Sequence, residues 1–147
     1  MPYTSEATIT INRPVERVWE ALMNPENLKF WLTGFVSVEH ISGEIGKTGS
    51  VSRLKFLERD KELEVTETAI LVDPNLQYTF KMTSIPFDTN TDIRLIASGN
   101  STELIQTVQF FPKQIFMKIM MPLIKGAMKR RMESELNKFK DFVESSS

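Results

Sequence analysis

The chain has no cysteine and one histidine, His40. Without cysteine there is no disulfide staple, no thiolate nucleophile and no Cys-based metal site. A single histidine cannot build a His-rich metal centre, so neither a metal nor a cofactor is expected. An excess of one charge is also missing: 18 Lys and Arg stand against 19 Asp and Glu, a formal charge of -1. Phosphate binding needs a cationic footprint, so nucleic acid is not the expected partner. No apolar run approaches the roughly 18 residues of a membrane-spanning helix, which argues against stable membrane insertion. The opening Met1-Pro2-Tyr3-Thr4-Ser5-Glu6 lacks the basic and apolar regions of a signal peptide, and a cytoplasmic location is expected.

What is present fits one domain over all 147 residues, with a frayed 145–147 tail. A chain of this length buries about two-thirds of its extended surface. Ala7, Ile9 and Ile11 alternate with Glu6, Thr8 and Thr10, the period of a half-buried strand. Asn12 then reads as an N-cap, and Val15, Val18, Trp19 and Leu22 mark a short amphipathic helix ending near Asn24. Pro25 restarts a second, from Glu26 to about Trp31, closed by Thr33-Gly34. Neither helix is large enough to make a core; Trp19 and Trp31 are their anchors.

From Phe35 the period returns to two. Strands are predicted at about 35–41, 50–58, 62–72, 76–83, 87–97 and 101–111, divided by Ser42-Gly43, Arg59-Asp60, Asp73-Pro74-Asn75 and Gly99-Asn100. These gaps suit hairpins and are too short for parallel crossovers. The last segment carries an apolar stripe at Ile115, Ile119, Leu123, Ala127, Met128, Met132, Leu136, Phe139 and Val143, the face of a long helix. Pro122 predicts a kink, or a turn at 113–120 followed by the main helix. From residue 112 onward eight Lys or Arg outnumber four Asp or Glu. Seven strands must curl, and a helix laid in their concave side leaves an apolar space of about 300–1,000 Å³.

The run Ile11-Asn12-Arg13-Pro14-Val15-Glu16-Arg17-Val18-Trp19, then Asn24-Pro25-Glu26, Lys29-Phe30-Trp31, Val36 to Glu39 and Gly43 to Ser50, resembles the START-like superfamily. This is the helix-grip or birch-pollen-allergen fold, and the chain looks most like its polyketide cyclase/dehydrase and lipid-transport branch. The resemblance implies an α+β fold in which a seven-stranded curved antiparallel sheet wraps a long C-terminal helix, in the order β-α-α-β6-α. It implies binding or transport of a small hydrophobic molecule (a lipid, isoprenoid or polyketide-like compound) between sheet and helix, by a monomer or weak homodimer. A cyclase or dehydratase in the same cavity, or a chaperone-activator-like interaction module using the Lys125 to Lys140 face, are the alternatives.

Strand parity and helix spacing nominate the cavity residues: Leu54, Phe56, Glu67, Tyr78, Phe80, Met82, Gln106 and Val108 from the sheet, and Met120, Leu123, Ile124, Met128 and Met132 from the helix. Methionines adapt to irregular apolar shapes and suit flexible ligands. Glu67 shares its face with Leu63, Val65, Ala69 and Leu71, so an inward carboxylate there must be paired or protonated. No catalytic constellation is apparent, although Glu67, Tyr78 and His40 are the available acid–base parts. Gly46-Lys47-Thr48 lacks the glycine spacing and following helix of a phosphate loop. The glycines of 43–50 instead suit a hairpin at a cavity mouth.

Overall fold

A computed structural model describes residues 3–145; positions 146 and 147 of the tail lie outside the described residues, while Ser145 closes a helix. The strands are β1 Tyr3–Ile11, β2 Phe35–Ser42, β3 Val51–Glu58, β4 Lys61–Asp73, β5 Gln77–Thr83, β6 Phe87–Ser98 and β7 Ser101–Pro112. They form one antiparallel sheet in the order β1-β7-β6-β5-β4-β3-β2. From β2 to β7 every strand pairs with its successor, as the short connections demand. Arg59-Asp60 and Gly99-Asn100 are two-residue turns; Arg59 and Asp60 both take positive φ (48° and 66°), the geometry that matches strand twist in such hairpins.

β1 lies beside β7, from Tyr3 opposite Phe110 to Ile11 opposite Thr102. The chain therefore crosses the sheet to reach β2, through α1 (Val15–Met23), a 3-10 turn (Pro25–Asn27) and α2 (Leu28–Trp31). Asn12 does not cap α1. Pro14 holds the cap position with no side-chain bond, because Asn12 is engaged elsewhere: its N–H donates to Glu144 Oε2 at 2.7 Å and its Oδ1 accepts from Ser101 at 3.4 Å. Asn24 is the working cap, accepting from the Glu26 N–H at 3.0 Å. Gly34 turns the chain into β2 at φ 73°, with its carbonyl accepting from Leu57 N–H at 2.7 Å. A Cβ there would sit 2.5 Å from the Leu57 carbonyl oxygen, so only glycine fits.

α3 runs unbroken from Ile115 to Ser145 with Pro122 inside it, so the predicted turn followed by a separate helix does not occur. Pro122 is exposed and removes one bond, to the carbonyl of Lys118. The predicted stripe holds only in the second half, where Met132, Leu136, Phe139 and Val143 are buried. Ile115, Ile119, Leu123 and Ala127 are exposed. Steps of four residues advance about 40° past a full turn each time, so Leu123 and Ile115 end about 140° from Met128 and Ile119 on the opposite side. The inward line there is Met117, Met121, Ile124 and Met128.

The second half of α3 fastens the fold. Phe139 is fully buried, 5.1 Å from Trp31 at 59° between rings, in a cluster with Ile11, Val18, Leu104 and Leu136. Thr33 is held from both sides: its N–H donates to Glu135 Oε2 at 2.8 Å and its carbonyl accepts from Arg131 at 2.9 Å. Near the carboxyl end, Lys140 donates to the Thr10 carbonyl at 2.8 Å. Phe139→Ala should cost about 3–5 kcal/mol, whereas exposed Leu123→Ala should stay within about 0.5 kcal/mol of wild type. Urea denaturation of both variants checks the pair, and comparable losses would contradict this packing.

Candidate functional site

Ahead of Met132, α3 stands over space. Between it and the sheet lies a partly open cavity of about 1220 Å³, larger than expected because the first half of the helix roofs the sheet without filling the gap. Its floor is built strand by strand from one parity. β3 contributes Leu54 and Phe56, β4 Leu63, Val65, Glu67 and Ala69, β5 Tyr78, Phe80 and Met82, and β7 Gln106, Val108 and Phe110. α3 closes the roof with Met117, Met120, Met121, Ile124, Met128 and Met132.

Leu123 is the one nominated residue that the structure places elsewhere: it is 75% exposed, on the outer side of α3. Leu71 also leaves the expected face. A register shift between Ala69 and Leu71 turns Leu71 outward and brings Val72 to the cavity, as a bulge does. His40 is exposed, with Nε2 at 2.7 Å from the Gly43 carbonyl, on the edge strand and away from the lining. Sequence reasoning left out Thr89 and Thr91 of β6 and Trp31, Leu28 and Leu32 of the helical crossing, all in the wall. The threonines share the parity of Ile93 and Leu95, so the alternation of β6 carried that signal. The crossing helices carried none, because nothing local shows which side of them meets a cavity.

One polar pair breaks the apolar wall. The Tyr78 hydroxyl donates to Glu67 Oε2 at 3.2 Å, although Tyr78 stands opposite Val72 and Glu67 opposite Met82. The phenol reaches along the sheet, stacked on Phe80 at 4.7 Å between centroids. Between the two on β4, the inward residue is Ala69, whose single methyl leaves the ring room. Burial pushes the Glu67 carboxyl from 4.5 up to about 7, and the Tyr78 hydrogen bond pulls the other way. Burial, then the charge of Glu67 and the bond to it, raise Tyr78 above its ordinary 10.0. Gln106 lies across the sheet: Ile93 is the register partner of both Tyr78 and Gln106. Its side-chain amide faces the cavity without a partner among the described residues. Two hydrogen-bonding stations thus flank Ile93 in a mainly apolar wall, whose lining also includes threonine and serine hydroxyls and charged side chains such as Arg59, Lys61, Glu62 and Arg131.

The turns of an antiparallel meander emerge alternately at two ends. Arg59 of the β3–β4 turn, Pro86 of the β5–β6 turn and Phe116 at the start of α3 line the cavity at one end, Ile45 and Gly46 at the other. The 43–50 loop is tied to β4 by Gly49 N–H to the Ala69 carbonyl at 2.8 Å and Ala69 N–H to the Ser50 carbonyl at 2.9 Å. Arg131 reaches from α3 to Glu58 at 2.5 Å, a strap across the first end. Among the described residues no group of three or more His, Cys, Asp or Glu is placed to hold a metal.

The sequence profile of polyketide cyclase/dehydrase and lipid transport proteins matches residues 3–144. The chain belongs to that family. Its α+β helix-grip architecture is that of solved START-like structures. The protein TTHA0849 of Thermus thermophilus superposes with a TM-score of 0.82 at 23% identity, covering 99% of each chain. Zhui aromatase/cyclase from a Streptomyces species superposes with a TM-score of 0.83 at 18% identity, over 98% of this chain and 94% of that one. Norcoclaurine synthase from Thalictrum flavum reaches a TM-score of 0.72 at 17% identity, covering 100% of this chain and 96% of its own. At such identities the likeness is one of fold. No curated protein matches the chain by sequence. The family is thus one of hydrophobic-ligand-binding architecture, and its particular chemistry must be argued from the cavity.

The Glu67–Tyr78 pair makes stability depend on pH with a defined sign. The folded carboxyl holds its proton up to about 7 and the unfolded one only to 4.5, so between these values the unfolded chain carries fewer protons. Stability should therefore fall as pH rises from about 4.5 to about 7, by up to about 3 kcal/mol, and level off above. Glu67→Gln should flatten that slope, and Tyr78→Phe should move the carboxyl further up by removing its donor. Chemical denaturation from pH 5 to pH 8 tests this; an unchanged slope in Glu67→Gln would assign the dependence to other groups.

Proposed function

We propose that this chain is a cytoplasmic, non-catalytic binder or carrier of a small, mainly apolar molecule of lipid, isoprenoid or polyketide-like character. The observation that carries the reading is a cavity of about 1220 Å³ with a mainly apolar lining, in which the Glu67–Tyr78 pair and Gln106 stand on the sheet floor. Sites for drug-sized ligands span about 300–1,000 Å³, so the space suits an elongated or polycyclic molecule. Apolar burial supplies the affinity, at about 25 cal/mol per Å². The α3 methionines Met117, Met120, Met121, Met128 and Met132 adapt to the ligand's outline. Glu67 with Tyr78 and the free Gln106 amide fix orientation, by bonding one or two oxygen or nitrogen atoms of an otherwise apolar ligand. An unmatched polar group there would cost the ligand its water without a replacement.

Native mass spectrometry of gently purified protein should reveal a co-purifying apolar molecule, and a fluorescent apolar probe should bind the emptied protein. Val108→Trp, placed in the floor between β6 and β1, should weaken probe binding about tenfold by filling space. Protein that retains nothing and binds no apolar probe would end this reading.

A second reading rests on the same pair. A carboxyl held near pH 7 beside a phenol is poised to take a proton from, or return it to, a bound carbonyl compound. A cyclase or dehydratase acting this way would lose turnover in Glu67→Gln while keeping substrate affinity. Binding without turnover of polyketide-like carbonyl compounds would leave the carrier reading alone.

A further inference from the structure

We infer that the outer ridge of α3, with the β5–β6 turn, docks this protein on an anionic lipid surface at the end of its cavity bordered by Pro86 and Phe116. The ridge consists of Ile115, Ile119 and Leu123, which are 75%, 68% and 75% exposed, joined by Phe116 at 68%. Ile85, 81% exposed, stands beside them, since the Pro86 carbonyl accepts from the N–H of Lys113 at 2.9 Å. Large side chains so exposed on one continuous surface mark an interaction site. Of these residues only Phe116 lines the cavity, so packing inside the protein does not account for the rest.

Charge selects the occupant. From Lys113 to Met132 there are six Lys or Arg and no Asp or Glu. Lys113 is paired with Asp88 and Arg131 with Glu58 and Glu135. Lys118, Lys125, Lys129 and Arg130 have no ion pair among the described residues. Lys118, Lys125 and Lys129 follow a single line on α3, about 60–100° round from Met128, between its buried face and the apolar ridge. A ridge of large apolar side chains flanked by a lysine row is how a helix lies in the plane of a bilayer interface and meets acidic headgroups. The β3–β4 turn at this end carries Arg59 and Asp60, followed on β4 by Lys61 and by Glu62, which is paired with Lys55, so it adds no negative excess to offset the lysines of α3. No described helix is long and apolar enough to cross a membrane, and the contact is peripheral. Phe116 and Pro86 border the cavity at this end, next to the ridge, so release of the Arg131–Glu58 strap would let an apolar molecule pass between bilayer and protein with little exposure to water.

Vesicle flotation tests the inference, using phosphatidylcholine alone and phosphatidylcholine with about 30 mol% phosphatidylserine. The wild type should float with the anionic vesicles, remain behind with the neutral ones, and detach as salt is raised. Ile119→Glu, Leu123→Glu and Lys118→Glu should each lower partitioning about tenfold. All three positions are exposed and off the cavity lining, so thermal stability and apolar-probe affinity should not change. Wild type that does not bind anionic vesicles, or variants that float as well as it does, would overturn the inference. So would a dimer in light scattering that the same substitutions dissolve, since the ridge would then belong to a second copy. Vesicle binding lost in the ridge variants supports docking even where no ligand is found, so failure of the carrier reading and failure of this one are separately visible.

Discussion

The architecture depends on the burial of one helix by half. From Met132 to Val143, α3 is packed onto β1 and the helical crossing through Leu136, Phe139 and Trp31, and bonded at Thr33 and Thr10. The 17 or so residues before it extend about 25 Å beyond that anchor. They roof a curved sheet, and of their side chains only Met121 is fully buried, which leaves space beneath the rest. Core packing normally excludes such voids, because a lining without neighbours forfeits its dispersion contacts. Stability concentrated in one half of the helix allows the other half to border open space.

The same division explains where polarity is tolerated. Glu67 sits in a mainly apolar wall with no cation beside it, and desolvation by burial moves its pKa up. Tyr78 supplies a single donor, enough to position the group without fixing its charge. In a filled core such a pair would be a defect with a large desolvation cost. Facing a cavity, it is a group held ready for a partner. Outside the sheet, Arg53 with Glu39 and Glu64, and Arg94 with Asp92, are solvated pairs of small energetic weight.

Particular residues show how much of this was legible in the chain. Period-two alternation located all seven strands within two residues, and turn residues such as Arg59-Asp60 and Gly99-Asn100 divided them, because hairpin registers follow from local geometry. The inward set Leu54, Phe56, Glu67, Tyr78, Phe80, Met82, Gln106 and Val108 followed from parity alone. Parity failed at Leu71, where a bulge inserts a residue, and such a bulge leaves no mark in the alternation. The stripe reading failed at Ile115, Ile119 and Leu123 for a different reason. Apolar residues at four-residue intervals satisfy a helical pattern, but they drift round the axis and need not end on the buried side.

The sequence by itself determined the element order, the antiparallel meander and the side of each strand that turns inward, since backbone geometry and hairpin length leave few alternatives. It also excluded thiol chemistry and a His-rich metal centre, there being no cysteine and one histidine. The tertiary structure decided what no local pattern encodes: that Tyr78 reaches past Ala69 to Glu67, that Trp31 closes a wall, and that half of α3 roofs a space while its outer ridge faces solvent. Each is a relation between elements distant in the chain. Periodicity reports how a residue is oriented on its own element, and only the assembled fold reports what stands opposite it.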